Sequence, residues 1–378
     1  MRFSDIAHQS AALDQIRKTL ATGRIPHAWL LHGPRGVGKA TAALAMARLL
    51  QCRAPVEGAP CESCPACRQS AHFNHPDIHI VPPTPSAPDT AAGEGQRTDF
   101  ISAALDSWRR EPIFHLDETR PLEHRIRTMR WIKQEASRAV VVGPWKIFIL
   151  KTAGALNNES ANAILKLLEE PTDGTLLLLC VENPASLPST IPSRCALIRF
   201  RPLPVEAVAA LLVERVKADP TAAALAARLS GGSLTRAAHF LEEEILPVRD
   251  EALALLASGA VAGGRHNPER HSQIDAWLKA RERLRLTLLL DLLRLWFRDL
   301  LRVRVGSIDP VEGLANADRA HELQQQAAGI SEAEISQSIR LIEETRAALD
   351  GYGYAPLVLY SLLERLPAGA TTLSLSSR

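Results

Sequence analysis

An α/β core on a parallel sheet, followed by an all-helical remainder, is the fold class this sequence predicts. Three observations carry that expectation. The apolar run Ala28–Leu31 breaks into the glycine-rich turn Gly33-Pro34-Arg35-Gly36-Val37-Gly38-Lys39 and then into the alanine- and leucine-rich stretch Thr41–Leu50. This is a buried strand, a turn and a helix. Further apolar runs at Lys146–Leu150 and Leu176–Val181 alternate with helical patterns as far as Phe200. Such alternation makes a parallel sheet with both faces covered. From Pro204 onward only helical periodicity remains, broken at Ser230-Gly231-Gly232-Ser233 and strongest at Ile274–Val305, Glu332–Leu349 and Ala355–Leu366.

At 378 residues the chain is long enough for two or three domains, and its net charge of +2 gives no global nucleic-acid signature. The opening, Met1–Leu20, is polar and reads as an amphipathic helix rather than a signal peptide. The most apolar late stretch, Leu284–Val305, is interrupted by seven charged residues, among them Asp291, Arg294 and Asp299, which excludes a membrane span. A cytoplasmic protein is expected.

In the turn, Gly33, Gly36 and Gly38 let several N–H groups and a helix N-terminus converge on an anion, and Lys39 supplies a point charge. Strand, Gly-x-x-x-x-Gly-Lys and helix together form a phosphate-binding loop. The hydroxyl that should follow the lysine and hold Mg²⁺ is missing: Ala40 stands there, with Thr41 one residue late. At the end of the strand Lys146–Leu150, such an ATPase carries a metal-binding Asp and often a water-activating Glu. Here the positions hold Lys151 and Thr152. With metal and base positions both lost, hydrolysis is not expected. Weak binding of nucleotide or another anion stays open because Gly33, Gly38 and Lys39 remain.

Cys52, Cys61, Cys64 and Cys67 follow the first helix with the spacing C-x8-C-x2-C-x2-C. Four clustered thiols in a reducing compartment point to a tetrahedral Zn²⁺, with a redox pair or unrelated thiols as the other reading. No acidic ligand or open position argues for catalysis, so the zinc is expected to be structural, closing the loop 53–68. His72, His75 and His79 are superfluous to such a site and read as surface or packing residues, as do Cys180 and Cys195 on or beside apolar strands. Pro82–Glu94 is rich in Pro, Ala, Thr and Ser and reads as part of a flexible insertion around residues 82–110. In the helical pattern Arg125–Ser137, Ile126, Met129 and Ile132 point inward, while Arg127, Arg130 and Lys133 recur every three residues on another face. That row is a candidate phosphate-tracking strip for DNA or an ordinary solvated face.

Taken in order, HGPRGVGK, the four-cysteine module, HPDIHIV (His75–Val81), ALNNESANAILKLLEEP (Ala155–Pro171), NPASLPSTIPSRC (Asn183–Cys195) and GGSLTRA (Gly231–Ala237) resemble the AAA+ clamp-loader subunits of bacterial replication. The match covers most of the first 240 residues; the C-terminal third is similar only as a helical region of suitable length. The resemblance implies a RecA-like AAA+ core over 1–201 with the zinc module at 52–67, a helical lid over 202–245, and a helical collar for oligomerisation over 250–378. It implies a hetero-pentamer with gamma/tau and delta subunits acting on a sliding clamp and, through it, on primed DNA. In this family the arginine of Ser-Arg-Cys acts in trans as a finger, which falls on Arg194. The small polar residue expected near Val181-Glu182 is absent or displaced, and the lid arginine comes one residue late, at Arg236. Three rivals are weaker. A self-sufficient AAA+ motor is opposed by Ala40, Lys151 and Thr152. A zinc-dependent DNA-binding module is opposed by the neutral-to-acidic surroundings of the cysteines. A nucleotide kinase lacks Mg²⁺ ligands and any evident acceptor site.

Overall fold

The computed structural model describes residues 3–85, 99–106, 108, 122–242, 245–261, 283–306, 313–350 and 355–366. Contacts divide the chain into two units: Met1–Leu211 with Gly232–Arg236, and Leu212–Gly231 with Ala237–Arg378. The stretch 202–245, expected as a lid, is therefore shared between them.

In the first unit, five parallel strands form one sheet: β1 (Ala28–His32), β2 (Ile78–Val81), β5 (Lys146–Leu150), β6 (Thr175–Val181) and β7 (Ala196–Arg199), in the order β2-β5-β6-β1-β7. Strands β1, β5 and β6 are almost continuously apolar because both faces are covered. Helices α1 (Ser10–Ala21), α2 (Lys39–Gln51), α4 (Ile126–Ala136) and α5 (Asn158–Glu169) belong to this unit, and Met129, Ile132, Ile164 and Leu168 pack with Phe148 and Leu179 in one core. A short helix, α3 (Pro65–Ala71), lies in the cysteine module. Thr84–Pro85 (β3) pairs antiparallel with Leu122–Glu123 (β4), so the start of the expected insertion is ordered as a ladder. Residues 86–98, 107, 109 and 110 of it lie outside the described residues.

One feature departs from the sequence expectation. The opening is not one helix from Met1: a turn at Phe3–Asp5 is followed by His8 at φ +55°, and α1 begins only at Ser10. The cause is non-local. The Gln9 side chain donates to Arg201 O at 2.7 Å and accepts from Arg201 N at 3.0 Å, pinning the chain before the helix starts. The motif around His75 is structural. Asp77, fully buried, accepts N–H bonds from Val141 at 2.8 Å and Val142 at 2.7 Å, which fixes the turn leading into β5. Replacing Asp77 with alanine removes the charged acceptor of both N–H groups. It should cost about 3 kcal/mol of stability, since hydrogen bonds to charged groups contribute about 1.5–3 kcal/mol each. Urea melts check this.

The second unit is helical: α7 (Pro220–Leu229), α9 (Ile245–Val261), α10 (Arg283–Val305), α11 (Ala320–Gly329), α12 (Glu332–Asp350) and α13 (Ala355–Arg365). Leu293, Trp296, Leu323, Ile335 and Leu363 share one core. Buried polar groups bridge its elements: Asp299 Oδ2 accepts from Asn316 N at 2.8 Å, and Trp296 Nε1 donates to Gln326 Oε1 at 2.8 Å. Helix α6 (Val205–Leu211) belongs to the first unit, and α8 (Leu234–Glu242) is divided, Leu234–Arg236 falling in the first and the rest in the second. No helix among the described residues is long and apolar enough to cross a membrane.

Candidate functional site

The glycine loop leaves the C-terminal end of β1, between β6 and β7, where the strand order reverses. In parallel sheets ligands bind at such a point. Two glycines are forced there. Gly33 sits at φ +142°, and a Cβ on it would lie 2.2 Å from Phe200 O. Gly36, at φ +68°, would place a Cβ 2.6 Å from the backbone N of Thr235, whose neighbour Leu234 donates to Gly36 O at 3.3 Å. Helix α2 then starts at Lys39 with Gly38 as its cap.

Lys39 turns its ammonium onto the loop itself, donating to Gly33 O at 2.7 Å and Pro34 O at 2.6 Å. Burial lowers its pKa to about 8, aided by the charge of Arg35. Lys151, directly after β5, also falls to about 8 through burial and then Arg35. Its ammonium lies 4.3 Å above the Trp108 ring, a cation–π contact. Cys180 on β6 feels both lysines, yet burial pushes its thiol up to about 11. Arg35 forms an ion pair with Glu182 at 3.3 Å. Thr152 stands in the left-handed region at φ +53°. The residues that would hold Mg²⁺ and activate water are thus an ammonium, a hydroxyl and a methyl group, so the donor set does not fit a divalent metal.

Sequence reasoning missed several residues of this site. Trp108 lay within the presumed flexible insertion. His124, buried, bridges to Lys151 O at 2.8 Å through Nε2, and burial lowers its pKa to about 4. His75, ahead of β2 and outside this site, is buried as a packing residue and accepts from Asp77 N at 3.1 Å.

The four cysteines converge. Their sulfurs all lie within 4.8 Å of one another, and Cys61 and Cys67 are 3.9 Å apart. Four Zn–S bonds of about 2.3 Å in a tetrahedron put sulfurs roughly 3.8 Å apart. N–H groups of Cys61, Cys64 and Cys67 donate to the sulfurs of Cys52, Cys61 and Cys64 at 3.2–3.4 Å. The N–H of Cys64 and the Ser63 hydroxyl draw Cys61 down to about 5, while burial pushes Cys67 up to about 12. A divalent cation supplies the charge that lets all four be thiolates, so these residues fit a structural Zn²⁺. Arg48 of α2, 2% exposed, ties the module to the core: it pairs with Glu62 at 2.9 Å and donates to Ser70 Oγ at 3.3 Å.

Arg194 belongs to neither cluster. It closes the turn Pro192–Arg194 just before β7, at the end of the sheet opposite the phosphate loop. The five residues of β1 separate those ends by roughly 15 Å at about 3.3 Å per residue. The guanidinium is 36% exposed, donates to Thr190 O at 3.0 Å and pairs with Glu169 at 2.9 Å. On α4, Arg127, Arg130 and Lys133 are exposed, beside Trp131, which is 42% exposed.

A five-stranded parallel sheet with a glycine loop on an inner strand, a cysteine module after the first helix and helices beyond goes with a sequence match to the clamp-loader family. Residues 8–204 match the family described as DNA polymerase III, delta subunit, and the chain belongs to that family. It is 26% identical over 324 residues to DNA polymerase III subunit delta' of Bacillus subtilis, covering 84% of each chain. It is 33% identical over 209 residues to the delta' subunit of Pseudomonas aeruginosa, covering 55% of this chain and 53% of that one. The tau subunit of Escherichia coli is 28% identical over 283 residues, but the chain spans only 38% of its length. Among solved structures, a gamma subunit-related protein of Thermotoga maritima matches 94% of this chain and 98% of its own, at 14% identity and a TM-score of 0.35.

Proposed function

We propose that this chain is a non-hydrolysing stator of the bacterial DNA polymerase III clamp loader, of the delta-prime kind. It presents Arg194 in trans to the ATP site of a neighbouring gamma/tau subunit. In a hetero-pentamer with gamma/tau and delta subunits, it helps load a sliding clamp on primed DNA in the bacterial cytoplasm. Residues 1–201 are the AAA+ core, 202–245 the lid and 250–378 the collar that holds the pentamer.

The observation that carries the reading is the combined loss at one site: Ala40 for the Mg²⁺ hydroxyl, Lys151 for the metal acid and Thr152 for the base. One such loss can be compensated; a metal site occupied by an ammonium cannot bind Mg²⁺ by adjusting a neighbour. Lys39 directs two of its three donors to the Gly33 and Pro34 carbonyls, which weakens its hold on an anion. The finger role is supported by position. Arg194 lies at the far end of the sheet from its own loop, so a phosphate it serves belongs to another chain. A guanidinium at that phosphate offsets the charge spread over the γ-phosphoryl oxygens. Arg127, Arg130 and Lys133 are offered as the face toward DNA phosphates, and the four cysteines as the ligands of a structural Zn²⁺.

A gamma-type motor is the second reading, favoured by the retained Gly33, Gly38 and Lys39. Steady-state ATP turnover of the purified chain alone separates the two. No turnover above background is expected, with Lys39→Ala identical to wild type. Turnover that Lys39→Ala abolishes would sink the stator reading.

A further inference from the structure

We infer that Glu169 is a positioning residue for Arg194, fixing the guanidinium in the orientation from which it reaches a neighbour's nucleotide. This rests on the finger role proposed above.

The first argument is electrostatic. Glu169 is the last residue of α5 and Glu170 its cap, so two acids sit where the helix dipole is negative. Local preference favours cations there. Choices that defy local preference mark sites where another demand prevails. Here the demand is visible: Glu169 Oε1 lies 2.9 Å from Arg194 Nη2.

The second is geometric. Arg194 is carried on a stiff turn, with Ile191 fully buried and Arg194 N and Cys195 N donating back to Ile191 O at 3.1 Å and Pro192 O at 3.2 Å. Its side chain is less constrained. Nη1 reaches Thr190 O at 3.0 Å and Ser193 Oγ at 3.4 Å, both within four residues on the same turn. Contacts through Nη1 alone allow the guanidinium plane to pivot about that atom. The Glu169 carboxylate holds the other amino group and comes from a different element, so it removes the pivot.

The third concerns where Glu169 itself is anchored. The N-terminus of α5 is capped by Asn157, which accepts from Ser160 N at 2.9 Å. The Ser160 hydroxyl donates to His124 O, and the His124 ring bonds Lys151 O at 2.8 Å. The helix is therefore tied to the end of β5, and Ile164 and Leu168 bury its inner face. A carboxylate on such a rod is placed by the fold rather than by a loop. Arginine fingers act by preorganised charge, and misplacement of about 1 Å costs as much as 10²-fold in rate.

The test is DNA-dependent ATP turnover in clamp loader reconstituted from this chain, gamma/tau and delta subunits, with clamp and primed DNA. Wild type, Glu169→Gln, Arg194→Ala and the double variant are compared, with assembly checked by size-exclusion. Glutamine keeps the shape of the side chain and removes its charge, so folding is retained. Glu169→Gln is expected to slow hydrolysis at the one ATP site that Arg194 serves by about tenfold, read as a slowed phase in single turnover, with KM for ATP unchanged. The double variant should match Arg194→Ala alone, because a positioning residue has nothing left to position. A normal or faster phase at that site in Glu169→Gln, or further loss in the double variant, overturns the inference while Arg194 remains a finger. If Arg194→Ala itself keeps full activity, the finger reading falls and this inference with it.

Discussion

Replacing Arg194 with alanine should all but silence one ATP site of the reconstituted clamp loader while leaving this chain's fold and assembly intact. An arginine finger contributes about 10³–10⁵ in rate to the site it serves. The remaining ATP sites keep their own machinery, so the loss belongs to one site, and single-turnover hydrolysis resolves it as a missing phase. Stability should hardly change. Arg194 and Glu169 are both partly exposed, and a pair of that kind contributes about 0–1 kcal/mol. Removing the guanidinium leaves a carboxylate that water solvates. Lysine should restore little, since a compact ammonium lacks the fork that bridges two phosphoryl oxygens. A melting curve superimposed on wild type, beside a lost hydrolysis phase, separates chemistry from folding. Full activity in the mutant would leave Arg194 a surface ion pair.

How much of this was legible beforehand depends on the range over which each feature is specified. The strand Lys146–Leu150 was read to the residue because an unbroken apolar run ends abruptly at a lysine. The cysteine cluster was equally plain, since two-residue spacers hold neighbouring sulfurs together by local geometry alone. The defects at Ala40, Lys151 and Thr152 could be read because a motif fixes their positions relative to a strand and a helix. Long-range partners were not legible. Gln9 stops α1 from beginning earlier by bonding Arg201, 192 residues away, and nothing near Gln9 announces this. Trp108 covers Lys151 from a stretch whose composition suggested disorder. The pairing of Glu169 with Arg194 left one trace, an acid at the wrong end of a helix, and that trace has meaning only once its partner is known.

Withdrawing the metal should unsettle more than the cysteine loop. Structural zinc sites of this kind contribute about 10–16 kcal/mol of binding energy, and the loop 53–68 has little apolar material to hold it closed otherwise. The consequence reaches the core through Arg48. That guanidinium is almost completely buried on the helix that follows the phosphate loop, and among its partners are Glu62 and Ser70 of the cysteine module. If the loop opens, Glu62 leaves and a buried cation loses its counter-charge, a cost of about 1–3 kcal/mol for an unmet buried group and more for a charged one. Chelation under reducing conditions should therefore lower the unfolding midpoint of the whole first unit by about 5 °C or more, on a scale of about 2–4 °C per kcal/mol for a domain of this size. Cys64→Ser should do the same and reduce bound zinc from one equivalent per chain. Arg48→Met supplies the control: with no buried charge to strand, chelation should shift its midpoint less than that of wild type. A metal-free chain melting at the wild-type temperature would mean that the cysteines pack without an ion, and that Arg48 is held by α2 alone.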